Sequence, residues 1–453
     1  MSANNSEENL SGSQNRRITW DGCSVLLDIN DGDRVLFARL TAGSKIKIGD
    51  KNCSLLPLIG CPFGSSFQVE VGAEGPFLAP LIPNAQGNGL SEKTDDQTME
   101  ECRDNRALVD NNTAQSLTGE DIDGMRRKGA TGDEIVQALI ANSATFEKKT
   151  AFSQEKYRIK KQKKYAPRVL LRRPFARSIC EAYFKKHAEK IGFLRVDTLS
   201  LLPSLANVTA HSNVLVFDML EGIVTGSVAE RMGGTGYVCN PYCGTTPLPI
   251  SIVRMFNFSD ETCKRILSAS LTELQPSDGE NSTSGDQLVD ECNIKEQQNK
   301  DTVSSSAKDL FNMEEISTTN METDNNVAAS PKCAKTVKAG EKAPSETIKH
   351  WKEHGFSSLI IAAPNLDAWD IAKDLVPLLS YSAPFVIYHQ YLQPLATCMH
   401  NLQSNKMAIN LQVSEPWLRE YQVLPSRTHP HMQMSSSGGY LLSGTRISSS
   451  DQN

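Results

Sequence analysis

Asn213-Val-Leu-Val-Phe-Asp-Met-Leu-Glu-Gly-Ile-Val-Thr-Gly-Ser227, followed closely by Gly236-Tyr-Val-Cys-Asn-Pro241, is the stretch whose reading decides the fold. The apolar run Val214–Phe217, ending on Asp218, reads as a strand buried on both faces. Gly222 marks the turn after it. Gly226–Met232 reads as a short helix closed by Gly233-Gly234, and Gly236 opens the next strand. Strand, helix, strand in this order is a parallel βαβ unit.

The same alternation extends outward. Ser178–Ile191 reads as an amphipathic helix ending at Gly192. Downstream come the strand Ser358–Ala363, the helix Ala368–Leu379, the strand Pro384–His389, the helix Gln393–Gln403 and a closing strand over Gly438–Gly444. Between the two halves lies a polar stretch in which Gln275–Ser330 carries twelve acids and three lysines. Such a composition buries too little apolar surface to fold. The expectation is one Rossmann-like α/β domain over 177–274 and 348–447, interrupted by a disordered acidic insertion over 275–347.

A doubly wound sheet takes its ligand beyond the carboxyl ends of its strands, where a glycine-rich turn lets the backbone approach. Here Gly222 and Gly226 stand four apart, without the dinucleotide fingerprint, and bulky Ile223 and Val224 occupy the turn. The second strand is expected to end at Asn240-Pro241, where an acid would grip a ribose hydroxyl. The strand end at Ala362-Ala363 lacks the carboxylate that proton removal requires. Asp367 and Asp370 follow, but at a helix start, where capping explains them. Three requirements of one site fail together, so a retained fold with a degenerate cofactor site is expected.

The N-terminal part has another character. Residues 1–16 are polar and read as a disordered tail. Residues 17–106 read as short strands, with Asp31-Gly32 turning between SVLLDI and RVLFARL and with Phe67–Val71 as a further strand. A small β-barrel or sandwich fits that spacing, with a polar insertion over 84–106. Residues 107–176 read as a helical basic linker. Its helices start at Thr118-Gly-Glu-Asp121 and Thr131-Gly-Asp-Glu134, and a basic one runs from Phe152 to Tyr165.

The 453 residues allow two domains. No run approaches the roughly 18 apolar residues of a membrane span, and the first residues lack a secretory signal, so an intracellular, soluble protein is expected. Eleven scattered cysteines read as reduced, partly buried thiols. Cys239 and Cys243 form the only close pair, with no further ligands to suggest zinc. The net charge of −6 conceals segregation. Twelve cations stand between Lys148 and Arg177 against Glu155 alone. Lys148, Lys149, Lys156, Arg158, Lys160, Lys161, Lys163, Lys164, Arg172 and Arg173 are the candidate polyanion-binding residues, with Lys156, Lys160, Lys163 and Lys164 sharing a helix face. A solvated face or a nuclear import signal at Lys160-Lys-Gln-Lys-Lys164 is the alternative reading. Tyr157 and Tyr165 suit packing better than base stacking. His429 and His431, flanking Pro430, suit a turn or an interface.

Several segments together resemble a known family. They are Val109-Asp-Asn-Asn-Thr-Ala-Gln115, Leu117-Thr118, Phe146-Glu-Lys-Lys-Thr-Ala-Phe-Ser-Gln-Glu-Lys-Tyr157 with the lysines up to Tyr165, Arg427-Thr-His-Pro-His-Met432 and Gly438-Gly-Tyr-Leu-Leu-Ser-Gly444. The chain resembles the non-catalytic subunits of eukaryotic tRNA (adenine-N1)-methyltransferases, which act on a T-loop adenine. The resemblance implies an N-terminal β-barrel, a C-terminal methyltransferase-like domain, and assembly with a paralogous catalytic subunit into a heterotetramer. It also implies that the partner binds S-adenosylmethionine and supplies a catalytic Asp from an Asp-Leu-Pro strand end, which corresponds here to Ala362-Ala363-Pro364. The expectation is therefore a nuclear, non-catalytic subunit that binds tRNA and no cofactor or metal of its own. Its rivals are an active methyltransferase using Asp218, Glu221 and Asp367, and an interaction scaffold without RNA contact.

Overall fold

The computed structural model describes residues 17–72, 75–81, 115–147, 149–275, 337–423 and 428–448. The expected tail over 1–16, the insertion over 84–106, Lys148, Arg427 and the span 276–336 lie outside the described residues. Two compact units divide the chain, Met1–Arg173 and Pro174–Asn453.

In the first unit, β1 (Ser24–Ile29) and β2 (Arg34–Arg39) pair antiparallel around the turn expected at Asp31-Gly32. β3 (Lys45–Ile48) and β4 (Lys51–Ser54) form a separate hairpin, and β5 (Ser66–Gly72) pairs with β6 (Gly75–Pro80). Three helices follow: α1 (Gly119–Arg127), α2 (Gly132–Ala141) and α3 (Ala151–Tyr165). Thr118 with Asp121 and Thr131 with Glu134 close reciprocal capping boxes, which satisfy amide donors that a helix start leaves free. Thr150 caps α3 by accepting from the Ser153 amide.

The helical linker expected over 107–176 is corrected at its end. Residues Arg168–Arg172 form β7, which pairs antiparallel with β1 and β5 and fills the middle of the sheet, in the order β2-β1-β7-β5-β6. Its charged ends mask the two inward side chains, Val169 and Leu171, that join the core of Val25, Leu27, Phe67 and Val69. The backbone ladders of the described residues give an open five-stranded sheet plus the β3–β4 hairpin, and β4 packs on β6.

The second unit opens with α4 (Ala176–Lys186) and α5 (Val196–Leu205). It continues with β8 (Asn213–Asp218), α6 (Ile223–Met232), β9 (Tyr237–Tyr242), α7 (Asp260–Cys263), β10 (Ile266–Ser270) and α8 (Leu271–Leu274). After the undescribed span come β11 (Glu341–Lys342), α9 (Ser345–His354), β12 (Ser358–Ala362), α10 (Ala368–Leu375), β13 (Pro384–His389), α11 (Leu392–Ser404) and β14 (Ala408–Ser414). The short ladder β15 (Tyr421–Gln422) with β16 (His429–Pro430) precedes β17 (Tyr440–Arg446). The sheet order is β11-β10-β9-β8-β12-β13-β17-β14. β8 to β13 run parallel and β17 antiparallel to both its neighbours. β8 and β12 are adjacent, and their helices leave in opposite directions along the sheet, so the topological switch point lies between them.

Several expected boundaries shift for identifiable reasons. α6 starts directly after Gly222, not at Gly226, because Ile223 and Val224 are core residues of its first turn. α10 stops at Leu375 and tightens into a 3-10 turn over Val376–Leu378, since Pro377 lacks the N–H that an α-helix needs. The acidic insertion expected to run to 347 ends earlier. The Gly340 amide donates to Ile266, the Ala343 amide donates to Ser268, and the Ala343 side chain is buried in the main core.

Candidate functional sites

The carboxyl ends of β8, β12 and β13 form the place where this fold binds ligands, and here they are packed with protein. Gly222 has φ +86°, a left-handed conformation open to glycine, and a Cβ there would fall 2.8 Å from both Cα and Cβ of Ile250. The 3-10 turn Ser251–Phe256 therefore lies directly on the loop after β8. The Ile252 amide donates to the Glu221 carbonyl, and the Ser251 hydroxyl donates to the Glu221 carboxylate. On the other side, Gly192 sits against Leu220 and Pro364, so close that a Cβ would fall 2.7 Å from Leu220 Cδ2 and 2.8 Å from Pro364 Cγ. The Tyr388 hydroxyl, near the end of β13, donates to the Gly192 carbonyl at 2.8 Å.

Asp218, which ends β8, is wholly buried. Its carboxylate accepts from the Leu220 amide at 2.8 Å and from the amide and hydroxyl of Thr225 at 2.8 and 2.9 Å. Burial raises its pKa despite these donors. All of this serves the turn and leaves the carboxylate facing no ligand space. Asp367 caps α10 by accepting from the Trp369 and Asp370 amides. Ala362 and Ala363 are both buried.

The strand end expected at Asn240 is corrected, because β9 continues through Pro241 to Tyr242. Asn240 is buried, and its Oδ1 finds no hydrogen-bond partner among the described residues. The residues after the true strand end, Cys243 and Gly244, bring no acid. A cavity of about 10 Å³ remains between β8, β9 and α10, lined by Phe217, Pro241, Cys243, Leu366, Ile371 and Leu375 among others. That is about one water's probe volume, whereas small-molecule sites occupy roughly 300–1,000 Å³. Cys239 lies in the core, where burial pushes its thiol far up.

The basic segment is the second candidate, and the structure sorts its cations. Lys156 and Lys160 project from α3 into solvent without a polar partner among the described residues. Lys163 is tied to Asp33 at 2.7 Å, which withdraws it from the shared face expected from its spacing. Arg158 pairs with Glu155 at 3.6 Å on the exposed helix surface. Lys149 and Lys161 lie over the Tyr157 ring at 4.9 and 5.2 Å, and Lys164 lies over Tyr165 at 5.2 Å. Tyr157 also meets Phe146 edge to face at 5.7 Å, and Tyr165 packs against Ile122, Ile135 and Leu139. Both tyrosines are packing residues that carry cations on their rings.

Arg172 leaves the group more decisively. It sits on β7 and bonds Asp28 at 3.1 Å, joining two strands of the sheet. Arg173 ends the first unit and is itself engaged by a neighbouring group. The sequence thus grouped a helix and a strand by charge, although the strand's Arg172 is held within the sheet. His429 and Pro430 pair with Gln422 and Tyr421, and the His431 amide donates to the Glu420 carbonyl, so both histidines belong to a small exposed arm.

The strand order defines the class: a Rossmann-like, doubly wound α/β domain whose switch point is closely packed by its own side chains. The family model described as "Gcd10p family" matches residues 20–325. The chain is 35% identical over 444 residues to the tRNA (adenine(58)-N(1))-methyltransferase non-catalytic subunit of Dictyostelium discoideum, covering 95% of this chain and 80% of that protein. It is 31% identical to the Mus musculus protein of the same name, covering 92% of this chain and 88% of that one. The solved structure of the tRNA (m1A58) methyltransferase TrmI from Aquifex aeolicus covers 95% of this chain and 100% of its own, at 11% identity and a TM-score of 0.41, which adds nothing to the topology. The chain belongs to the Gcd10p family.

Proposed function

We propose that this chain is the non-catalytic subunit of a tRNA (adenine-N1)-methyltransferase complex, holding tRNA for a paralogous catalytic subunit. The observation that carries this reading is the closed switch point, where Ile250 covers Gly222 and Gly192 wedges between Leu220 and Pro364. S-adenosylmethionine then belongs to the partner, and the assembly contains two copies of each subunit. The relatives' names support the non-catalytic role. The outward lysines of α3 support RNA contact, because a cation that neutralises a phosphate releases counterions. Lys160-Lys-Gln-Lys-Lys164 also suits import into the nucleus, where the complex would act. In this reading the N-terminal sheet closes into a small barrel through the packing of β4 on β6.

Two measurements test the proposal. Calorimetric titration of the full chain with S-adenosylmethionine should show no binding, and micromolar affinity would overturn the cofactor assignment. Replacing Lys156, Lys160 and Lys164 with Ala in the assembled complex should weaken tRNA binding and flatten its salt dependence by roughly one unit of slope per lost phosphate contact. Unchanged slopes with an intact complex would remove the RNA-binding role.

A further inference from the structure

Tyr165 is a meeting point of two helices' charges. Arg126, from the last turn of α1, lies 5.8 Å from its ring centroid, while Lys164 and Lys161 of α3 lie at 5.2 and 6.0 Å. The ring itself is fixed by the small core of Ile122, Ile135 and Leu139 between the helices. Attraction to a π face holds a cation in place without neutralising it. Among the described residues the one acid bonded to this group is Asp123, 3.2 Å from Arg126, and it is more than half exposed, so water and salt weaken its effect. Arg127 and Lys128 continue the charge on the exposed surface. From the β3–β4 hairpin, half-buried Lys51 feels the same field, with burial first and the Arg126 charge second lowering its pKa against a smaller opposing effect of Asp50.

Cations in the last turn of a helix answer its macrodipole, and that accounts for Arg126, Arg127 and Lys128 taken singly. It does not account for Arg126 converging on the ring that already carries two lysines from α3. Like charges brought together with so little compensation repel one another, and a polyanion laid across them removes the repulsion. Guanidinium groups suit phosphate oxygens by their planar, forked geometry.

We infer that the RNA-binding surface of the first unit extends from α3 across Tyr165 onto the end of α1, where Arg126 and Arg127 take backbone phosphates of the RNA. This rests on the RNA-binding role proposed above. The two helices then form one track, with Lys156 and Lys160 at one end and the α1 arginines at the other. No base is read by these residues, so their contribution is independent of RNA sequence.

The test is a set of salt titrations of tRNA binding by the assembled complex. Arg126→Gln with Arg127→Gln should weaken binding several-fold at about 100 mM salt and lower the slope of log K against log salt by roughly one to two units. Lys156→Ala with Lys160→Ala should lower it independently, and the combined variant should lose the sum. Arg126→Lys with Arg127→Lys shares any packing defect but keeps the charge, and it should hold the wild-type slope. A wild-type slope in the glutamine variant, beside a reduced slope in the α3 variant, overturns the extension and leaves the proposed function standing. A slope lost equally in the glutamine and lysine variants assigns the effect to packing and also overturns it. Wild-type slopes throughout would remove the RNA-binding role itself.

Discussion

Ile250 lies on Gly222 so closely that the smallest side chain at that glycine would fall 2.8 Å from the Ile250 Cα. The contact has an energetic consequence. Gly222→Ala must place a Cβ in a left-handed turn and push the backbone of residue 250 aside. Strain and overlap together should destabilise the protein by about 2–4 kcal/mol. Urea unfolding measures it, and a loss below about 0.5 kcal/mol would mean that the Ser251–Phe256 turn moves freely and that the crevice can open.

Lys163 and Lys160 should behave differently despite their common charge. Lys163→Ala breaks the exposed pair with Asp33, so stability should fall by under about 1 kcal/mol while the tRNA salt slope stays unchanged. Lys160→Ala should leave stability alone and reduce the slope by about one unit. Paired thermal melts and salt titrations distinguish them. A reversed pattern would show that the Asp33 pair opens to let Lys163 reach RNA.

Deletion of residues 281–335 should shift Tm by no more than a few degrees, since little apolar surface leaves with them. Extending the deletion to 343 should lower Tm markedly. It removes the amides that bond Ile266 and Ser268 and takes Ala343 out of the core. Equal melting temperatures for the two deletions would show that β11 contributes nothing.

His389 gives the fold a dependence on acid. It is buried, and its Nδ1 lies 3.0 Å from the Tyr391 amide, which donates to it, and 3.2 Å from the Tyr391 carbonyl. Burial, the largest influence, lowers its pKa from the usual value near 6.5. The folded state therefore binds fewer protons than the unfolded chain once pH drops below about 6.5. Stability from this group is complete above that value and is lost as pH falls toward the lowered folded pKa, with a slope of up to about 1.4 kcal/mol per pH unit. Urea titrations between pH 7.5 and 5 should show the decline in the wild type and a flatter profile in His389→Gln. Parallel profiles would place the acid sensitivity elsewhere.

What could be read in advance shared one physical property: it was local. Asn213–Asp218 and Ser358–Ala362 announce parallel strands because both faces are apolar, and Thr118 and Thr131 announce helix starts because a hydroxyl and an acid stand three apart. The lost carboxylate at Ala362-Ala363 was legible for the same reason, since an absent side chain needs no partner to be recognised. β7 was not, because Arg168–Arg172 shows only two inward residues between cations and gains strand structure from β1 and β5, which lie far away in sequence.

The sequence by itself determined the fold class of the second unit, the lack of an acid at Ala362-Ala363 and the concentration of charge between 148 and 177. Tertiary structure alone decided how that charge is used. Arg172 and Lys163 are bound by Asp28 and Asp33, which lie more than a hundred residues earlier, while Arg126 is drawn in from α1 to join Lys164 over Tyr165. It also decided why the crevice is shut, because Ile250 and Gly192 reach the strand ends from separate segments. Periodicity reports what a segment tends to form. Coulomb attraction and close packing depend on distance in space, and only the folded chain sets those distances.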